Sequence, residues 1–263
     1  MEIEDNLKIS MIQSNLFWED KRTNLTQFTN RLADLAHQTD IIILPEMFAT
    51  GFTMNSNKLA ENMDGITVTW MKEIAFYTDS AICGTAIINE NNNFYNRFLF
   101  IEPNGKIQFY NKAHLFRMGD ENKNYTAGNE RIVIEYKGWK IAPFVCYDLR
   151  FPVWLKRTPN FDYDLIINVA SWPEKRILHW QVLNQARAIE NQCYVAAVNR
   201  VGEDGNQHIY NGQSVLYNPQ GKLLNHLTHE EYESTFTIPL PELKTYRKAF
   251  PVWMDEDNFS LVK

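Results

Sequence analysis

Three residues of this 263-residue chain combine useful chemistry with a telling position. Cys146 ends the apolar run Ile141–Val145 and opens the polar stretch Tyr147-Asp148-Leu149-Arg150. A lone thiol is thereby delivered to what reads as a strand-to-helix elbow, where backbone N–H groups and a helix start favour a thiolate and an oxyanion. Glu46 follows Ile41-Ile42-Ile43 within Leu44-Pro45-Glu46, again at a strand end. Lys112 follows a predicted hairpin, in the otherwise uncharged segment Tyr110-Asn111-Lys112-Ala113-His114. A thiol, a carboxylate and an ammonium supply the nucleophile, the proton carrier and the charge for an oxyanion that amide hydrolysis needs. Taken singly, each has an ordinary reading: a core thiol, a helix-start carboxylate, a surface lysine.

The elements that must position them alternate between strand and helix patterns. Leu7–Gln13 alternates like a strand, and Leu25, Phe28, Leu32, Leu35 and Ala36 then recur at helical spacing. Ile41–Leu44 reads as a short strand buried on both faces. Val68, Met71, Ile74 and Ala75 mark a second helix before a strand at Ala81–Ile88. Hairpins are predicted around Pro103-Asn104-Gly105, Lys137-Gly138 and Asn218–Gly221, the last joining Gln213–Tyr217 to Lys222–Leu227. A short helix after Pro152, strands at Asp164–Ala170 and Cys193–Asn199, and a helix over Glu174–Gln192 with Leu178, Val182 and Ala186 facing inward complete the order. The alternation points to an α/β fold. It does not choose between one sheet and two.

The segments Leu44-Pro45-Glu46, Tyr110-Asn111-Lys112 and Cys146-Tyr147-Asp148-Leu149-Arg150-Phe151 together resemble the nitrilase, or carbon–nitrogen hydrolase, superfamily. They match its Glu-Lys-Cys triad in order and local context. The resemblance runs from Lys8 to about Leu240 and is closest to the omega-amidase branch. It implies a four-layer αββα sandwich of two packed mixed sheets, forming a single domain over residues 1–263. It also implies that Glu121, in the loop Glu121–Gly128, is the family's second glutamate, which bonds the lysine; the spacing to Gly128 favours Glu121 over Asp120. In that reading Cys146 attacks the carbonyl and Glu46 shuttles protons. Lys112 and the backbone N–H of Tyr147 bind the oxyanion, and Lys112 also helps to keep a thiolate. Asp148 and Arg150 resemble residues that make structural bonds near the elbow.

Ser171-Trp172-Pro173-Glu174-Lys175-Arg176 follows a strand end that should face the same rim as Cys146. Trp172 is then a candidate pocket wall and Arg176 a bidentate clamp for a substrate carboxylate; Phe116 and Tyr125 are further candidate wall residues. The resemblance favours a small amide substrate such as 2-oxoglutaramate or 2-oxosuccinamate. N-carbamoyl amino acids, agmatine-derived substrates, deaminated glutathione, nitriles and a non-catalytic binding module are the alternatives.

Other chemistries lack their signatures. The six histidines form neither H-x-H nor H-x-x-x-H, so no metal is expected, and no cofactor motif or phosphate loop is visible. No G-x-S-x-G elbow exists. A net charge of −6 argues against a nucleic-acid partner. No apolar stretch approaches the roughly 18 residues of a membrane span. The acidic N-terminus shows no leader pattern, and three cysteines without paired spacing suit a reducing cytoplasm. The apolar residues of Phe151–Leu155 and of the tail, residues 245–263, suggest a homodimer or higher homo-oligomer, as is usual in the family.

Overall fold

The computed structural model describes residues 5–257 and 259–261. Met1–Glu4, Asn258, Val262 and Lys263 lie outside the described residues. The first half begins with β1 (Asn6–Gln13), α1 (Lys21–Leu32), β2 (Ile41–Ile43), α2 (Ser56–Leu59), α3 (Ile66–Thr78) and β3 (Ala81–Glu90). The three strands run parallel, and β4 (Asn93–Ile101) and β5 (Ile107–Asn111) extend the sheet antiparallel. Asp20 caps α1 by accepting the Thr23 N–H at 3.0 Å.

The all-isoleucine β2 is apolar throughout because both of its faces are covered. Ile42 packs with Phe28, Leu32, Val68 and Met71 from α1 and α3, while Ile41 and Ile43 face the second sheet. Each such side chain contributes about 1.5–3 kcal/mol relative to exposure.

After α4 (Glu121–Asn124), the second sheet is built from β6 (Ile134–Tyr136), β7 (Trp139–Val145), β8 (Leu165–Ala170) and β9 (Tyr194–Asn199), with α5 (Pro152–Leu155) and α6 (Ile177–Asn191) in its connections. Strands β7, β8 and β9 are parallel. A separate hairpin, β10 (Val201–Glu203) with β11 (Ile209–Asn211), precedes the edge strand β12 (Val215–Tyr217). The chain then returns to the first sheet as β13 (Tyr232–Pro239), antiparallel to β1. Leu7, Ile9, Phe98 and Phe100 of one sheet share a buried cluster with Trp139, Ile141, Ile166 and Val195 of the other. With α1 and α3 outside one sheet and α6 outside the other, the layers run αββα, as the resemblance implied.

Helix α6 exists but has a different phase from the one predicted. Leu178 and Val182 point outward, 66% and 51% exposed. The inward residues are Trp180, Asn184, Arg187, Ala188 and Asn191. That face is polar because it meets peptide groups: Arg187 donates to the Leu149 carbonyl at 2.7 Å, and Asn191 accepts the Arg157 N–H at 2.8 Å. Lys222–Leu227 forms no strand beyond a bridge between Tyr217 and Leu223; the Asn225 side chain takes the Leu216 N–H instead. The start of the tail docks on the core within α7 (Leu240–Ala249). Arg247 pairs with Asp164 at 2.8 Å and donates to the carbonyls of Tyr163 and Gln192.

Candidate active site

Parallel strands end at a common rim, and loops after them carry side chains to one place. Glu46 lies just past β2, Cys146 directly follows β7, and Ser171 directly follows β8. Lys112 lies one residue past β5; its N–H donates to the Asn96 carbonyl on β4 and its carbonyl accepts the Gly128 N–H. Gly128 is pressed against the Asn111 carbonyl, where a Cβ would come within 2.1 Å of the oxygen. Only glycine allows the Glu121 loop to close this tightly on the Lys112 segment.

Cys146 has φ +48° and Met47, next to Glu46, has φ +47°. Non-glycine residues seldom adopt this region, and they cluster at sites held by their surroundings. The Cys146 N–H is fixed by Asn168 Oδ1 at 3.1 Å and the Met47 N–H by Thr85 Oγ1 at 2.7 Å.

The structure brings Glu46, Lys112, Glu121 and Cys146 together, all buried. Lys112 Nζ lies 2.8 Å from Glu46 Oε1 and 3.0 and 2.9 Å from the two oxygens of Glu121. Glu121 also accepts the Phe116 N–H at 2.6 Å, and Glu46 Oε2 accepts the Ser171 N–H at 2.8 Å. Asn96 Nδ2 donates to Oε1 of both glutamates, at 2.8 and 3.1 Å.

Two carboxylates share one ammonium, and the charges follow from that ratio. Burial pulls the Lys112 ammonium down, but Glu121 and Glu46 outweigh it and leave it above its ordinary range. Burial raises the Glu121 carboxyl; Lys112 opposes that and Glu46 adds to it. The Cys146 thiol is pushed well up by burial and by the Glu46 charge, with Lys112 compensating only in part. These effects favour the thiol over the thiolate expected from the elbow and the lysine. Glu46 and Glu121 already use the lysine's charge.

A cavity of about 100 Å³ opens over Cys146, well below the roughly 300–1,000 Å³ of drug-sized pockets. Phe52, Phe116, Tyr147 and Trp172 line it, with Arg150 and Arg176. Phe116 packs edge-on against Tyr147 at 5.2 Å. Arg176 lies 5.3 Å from the Phe116 ring centre, and Arg150 lies 4.7 Å from that of Trp172. No carboxylate pairs with Arg176 among the described residues, and burial lowers its guanidinium from the ordinary value. Arg150 also faces the cavity rather than forming an acid pair within the elbow; its neighbour is His179 Nδ1 at 3.1 Å. Asp148 is the structural member of that motif, taking the Tyr110 hydroxyl and the Val145 and His114 N–H groups. Tyr125 is not a wall residue: it packs with Met47 and Ile87 and bonds the Thr53 carbonyl.

The opposite wall was not foreseen. It comes from the β10–β11 hairpin, through Asp204, His208 and Tyr210. Asp204 accepts the Asn206 and His208 N–H groups and the Tyr210 hydroxyl, so its carboxylate is committed to holding the hairpin.

The carbon-nitrogen hydrolase model matches residues 8–248. The chain belongs to the carbon-nitrogen hydrolase family. This hydrolase is 45% identical to the omega-amidase YafV of Escherichia coli K12, over 97% of this chain and 98% of the relative. It is 31% identical to a 2-oxoglutaramate amidase of Bacillus subtilis, over 94% and 96% of the two chains. XC1258 of Xanthomonas campestris is a CN-hydrolase superfamily protein solved with an arsenic adduct in its active site. It superposes with a TM-score of 0.96 at 42% identity, covering 98% of the hydrolase and 99% of the relative. No described helix of the hydrolase is long and apolar enough to cross a membrane.

Proposed function

We propose that this hydrolase is an omega-amidase, cleaving the terminal amide of short 2-oxo dicarboxylic acid monoamides, such as 2-oxoglutaramate and 2-oxosuccinamate, to the acid and ammonia. The observation that carries this reading is the buried Glu46–Lys112–Glu121–Cys146 cluster at the base of a small cavity walled by Arg176. The omega-amidase and 2-oxoglutaramate amidase relatives support the choice of substrate.

Cys146 attacks the amide carbon as Glu46 removes its proton. At rest Lys112 donates to Glu46 and to both oxygens of Glu121; giving up one of the two Glu121 contacts frees an N–H that binds the developing oxyanion together with the Tyr147 peptide N–H. Glu46 returns the proton to the amine, ammonia leaves, and a thioester remains. Water then attacks the thioester with Glu46 again as base, releasing the acid and the thiol. Arg176 holds the distal carboxylate, and Phe116 and Trp172 flank the chain between the two ends.

The test is ammonia release from 2-oxo monoamides, N-carbamoyl amino acids, deaminated glutathione and nitriles, with Cys146→Ala alongside. Fast turnover of the 2-oxo monoamides alone supports the reading. Turnover of another class keeps the thioester chemistry and discards the substrate. Silence across the panel, with no adduct on Cys146, overturns both.

The same reading takes residues 1–263 as one cytoplasmic hydrolase domain that works as a homodimer. Val153, Ile189, Phe250 and Phe259 line one surface groove. The outward Leu178 and Val182 of α6 add to the apolar surface on this side of the second sheet. A second copy covering the α5–α6 surface and the tail would remove it from water.

A further inference from the structure

We propose that Asn96 is a positioning residue of the hydrolytic site, whose side-chain amide holds Glu46 and Glu121 as an ionised pair around one lysine. The inference rests on the reading of Glu46 as the base for Cys146.

Asn96 sits within β4, opposite Ile87 of β3, and is fully buried. A polar side chain there costs stability unless its groups are bonded. Its Nδ2 has two hydrogens, and each has a carboxylate: Glu46 Oε1 at 2.8 Å and Glu121 Oε1 at 3.1 Å. The same two oxygens accept from Lys112 Nζ at 2.8 and 3.0 Å. Two donors and two acceptors thus close a ring, with the amide opposite the ammonium. Asn96 Oδ1 finds no partner among the described residues. Rotating the amide would turn that oxygen against two carboxylates, so the network sets its orientation. The Asn96 carbonyl also takes the Lys112 N–H at 3.0 Å, tying one residue to all three charged groups of the cluster.

This position bears on the proton step. When Glu46 accepts the thiol proton, the S–H bond breaks, an O–H bond forms, and one negative charge moves from carboxylate to sulfur. Before that step, two carboxylates repel each other across a single lysine. The Asn96 amide is a neutral donor to both, so it stabilises the ionised pair without adding a cation that would retain the sulfur as a permanent thiolate. It also fixes Glu46 Oε1, leaving Oε2 beside the Ser171 N–H to face the chemistry.

The test is the pH dependence of Cys146 alkylation by iodoacetamide, followed by mass spectrometry, in wild type, Asn96→Ala and Asn96→Ser. Alkylation requires the base but no particular substrate, so it reports on Asn96 even if the omega-amide assignment fails. Cys83 and Cys193 are fully buried and are distinguished by peptide mapping.

Losing donors to a carboxylate pair favours its protonated form. The acid limb of the alkylation rate should therefore move to higher pH, by about one unit in Asn96→Ala and by less in Asn96→Ser, whose hydroxyl can serve one carboxylate. Where an amide is turned over, kcat should fall on the order of tenfold or more with KM little changed. A folded Asn96→Ala protein with an unmoved acid limb overturns the proposal. If that variant does not fold, an unmoved limb in Asn96→Ser does the same.

Discussion

Ser171 donates its backbone N–H to Glu46 Oε2 at 2.8 Å across 125 residues of sequence. The bond joins the end of β8 in one sheet to the loop after β2 in the other, so the proposed base is aimed by the packing of the two sheets. Glu46→Gln removes the base, and its single amide oxygen cannot accept from Ser171 on one side and from Lys112 and Asn96 on the other. Its kcat for amide hydrolysis should drop by about 10²–10⁴, and its Tm should fall as well. Steady-state ammonia release and thermal unfolding check this; a variant within tenfold of wild type would remove Glu46 from the role.

Glu121→Gln should separate stability from activity. The Glu121 carboxyl is raised by burial, with Glu46 adding to the effect, so ionising it in the fold costs stability. That cost is absent at low pH, where the group is protonated both folded and unfolded, and is complete above its raised folded value. The glutamine variant's melting temperature relative to wild type should therefore be lowest below about pH 4, where the wild-type carboxyl is protonated, and should rise as pH passes through the raised folded value. The Lys112, Asn96 and Phe116 donors that a glutamine amide cannot all satisfy lower it at both ends of the range. Its kcat should fall because Lys112 is less firmly held. A difference in melting temperature that is the same at about pH 4 and about pH 8 would contradict the charge balance described for the cluster.

Arg176 meets the cavity beside Phe116 without an acid partner among the described residues. If it holds the substrate carboxylate, Arg176→Ala should raise KM for 2-oxo monoamides by about 10- to 100-fold, with a smaller change in kcat. Arg176→Lys should recover little of this, because an ammonium cannot reproduce the planar two-donor fork. Equal KM values in all three proteins would assign the carboxylate to another group, and Arg150 is the first to test.

The outward face of α6 makes a solution prediction. Leu178→Glu with Val182→Glu should shift a dimer to monomer in light scattering after gel filtration, leaving the monomer's far-ultraviolet circular dichroism unchanged. A wild-type protein that is already monomeric at micromolar concentration would dispose of the proposed interface.

The candidate site residues legible in the sequence are those whose positions are set by chain-local events. Glu46, Lys112 and Cys146 each stand immediately after an apolar strand pattern, and a side chain at a strand end projects to the rim. Asn96 carries no such mark: in Tyr95-Asn96-Arg97 it is one polar residue in a strand, and only tertiary packing sets it between two glutamates. Ser171 acts through its backbone, which its side-chain type does not disclose. The phase of α6 was missed because its apolar residues do not face the core; Asn184, Arg187 and Asn191 do, bonded to peptide groups. Strand β13 escaped notice for a related reason, since it is an edge strand with alternate residues open to solvent. Helix α7 is anchored by the long-range Arg247–Asp164 pair.

The burial and the neighbouring carboxylate that push the Cys146 thiol up also bear on the enzyme's durability. Peroxides and other oxidants attack thiolates in accessible sites, whereas this sulfur is buried, with its proton held on by burial and a neighbouring carboxylate. In the proposed mechanism the thiolate forms only as Glu46 takes the proton, in the presence of an electrophile that the cavity admits. Between such encounters the sulfur is a poor target for oxidants that need a preformed thiolate, so the working lifetime would be set by how often the molecule meets an electrophile rather than by how long it waits.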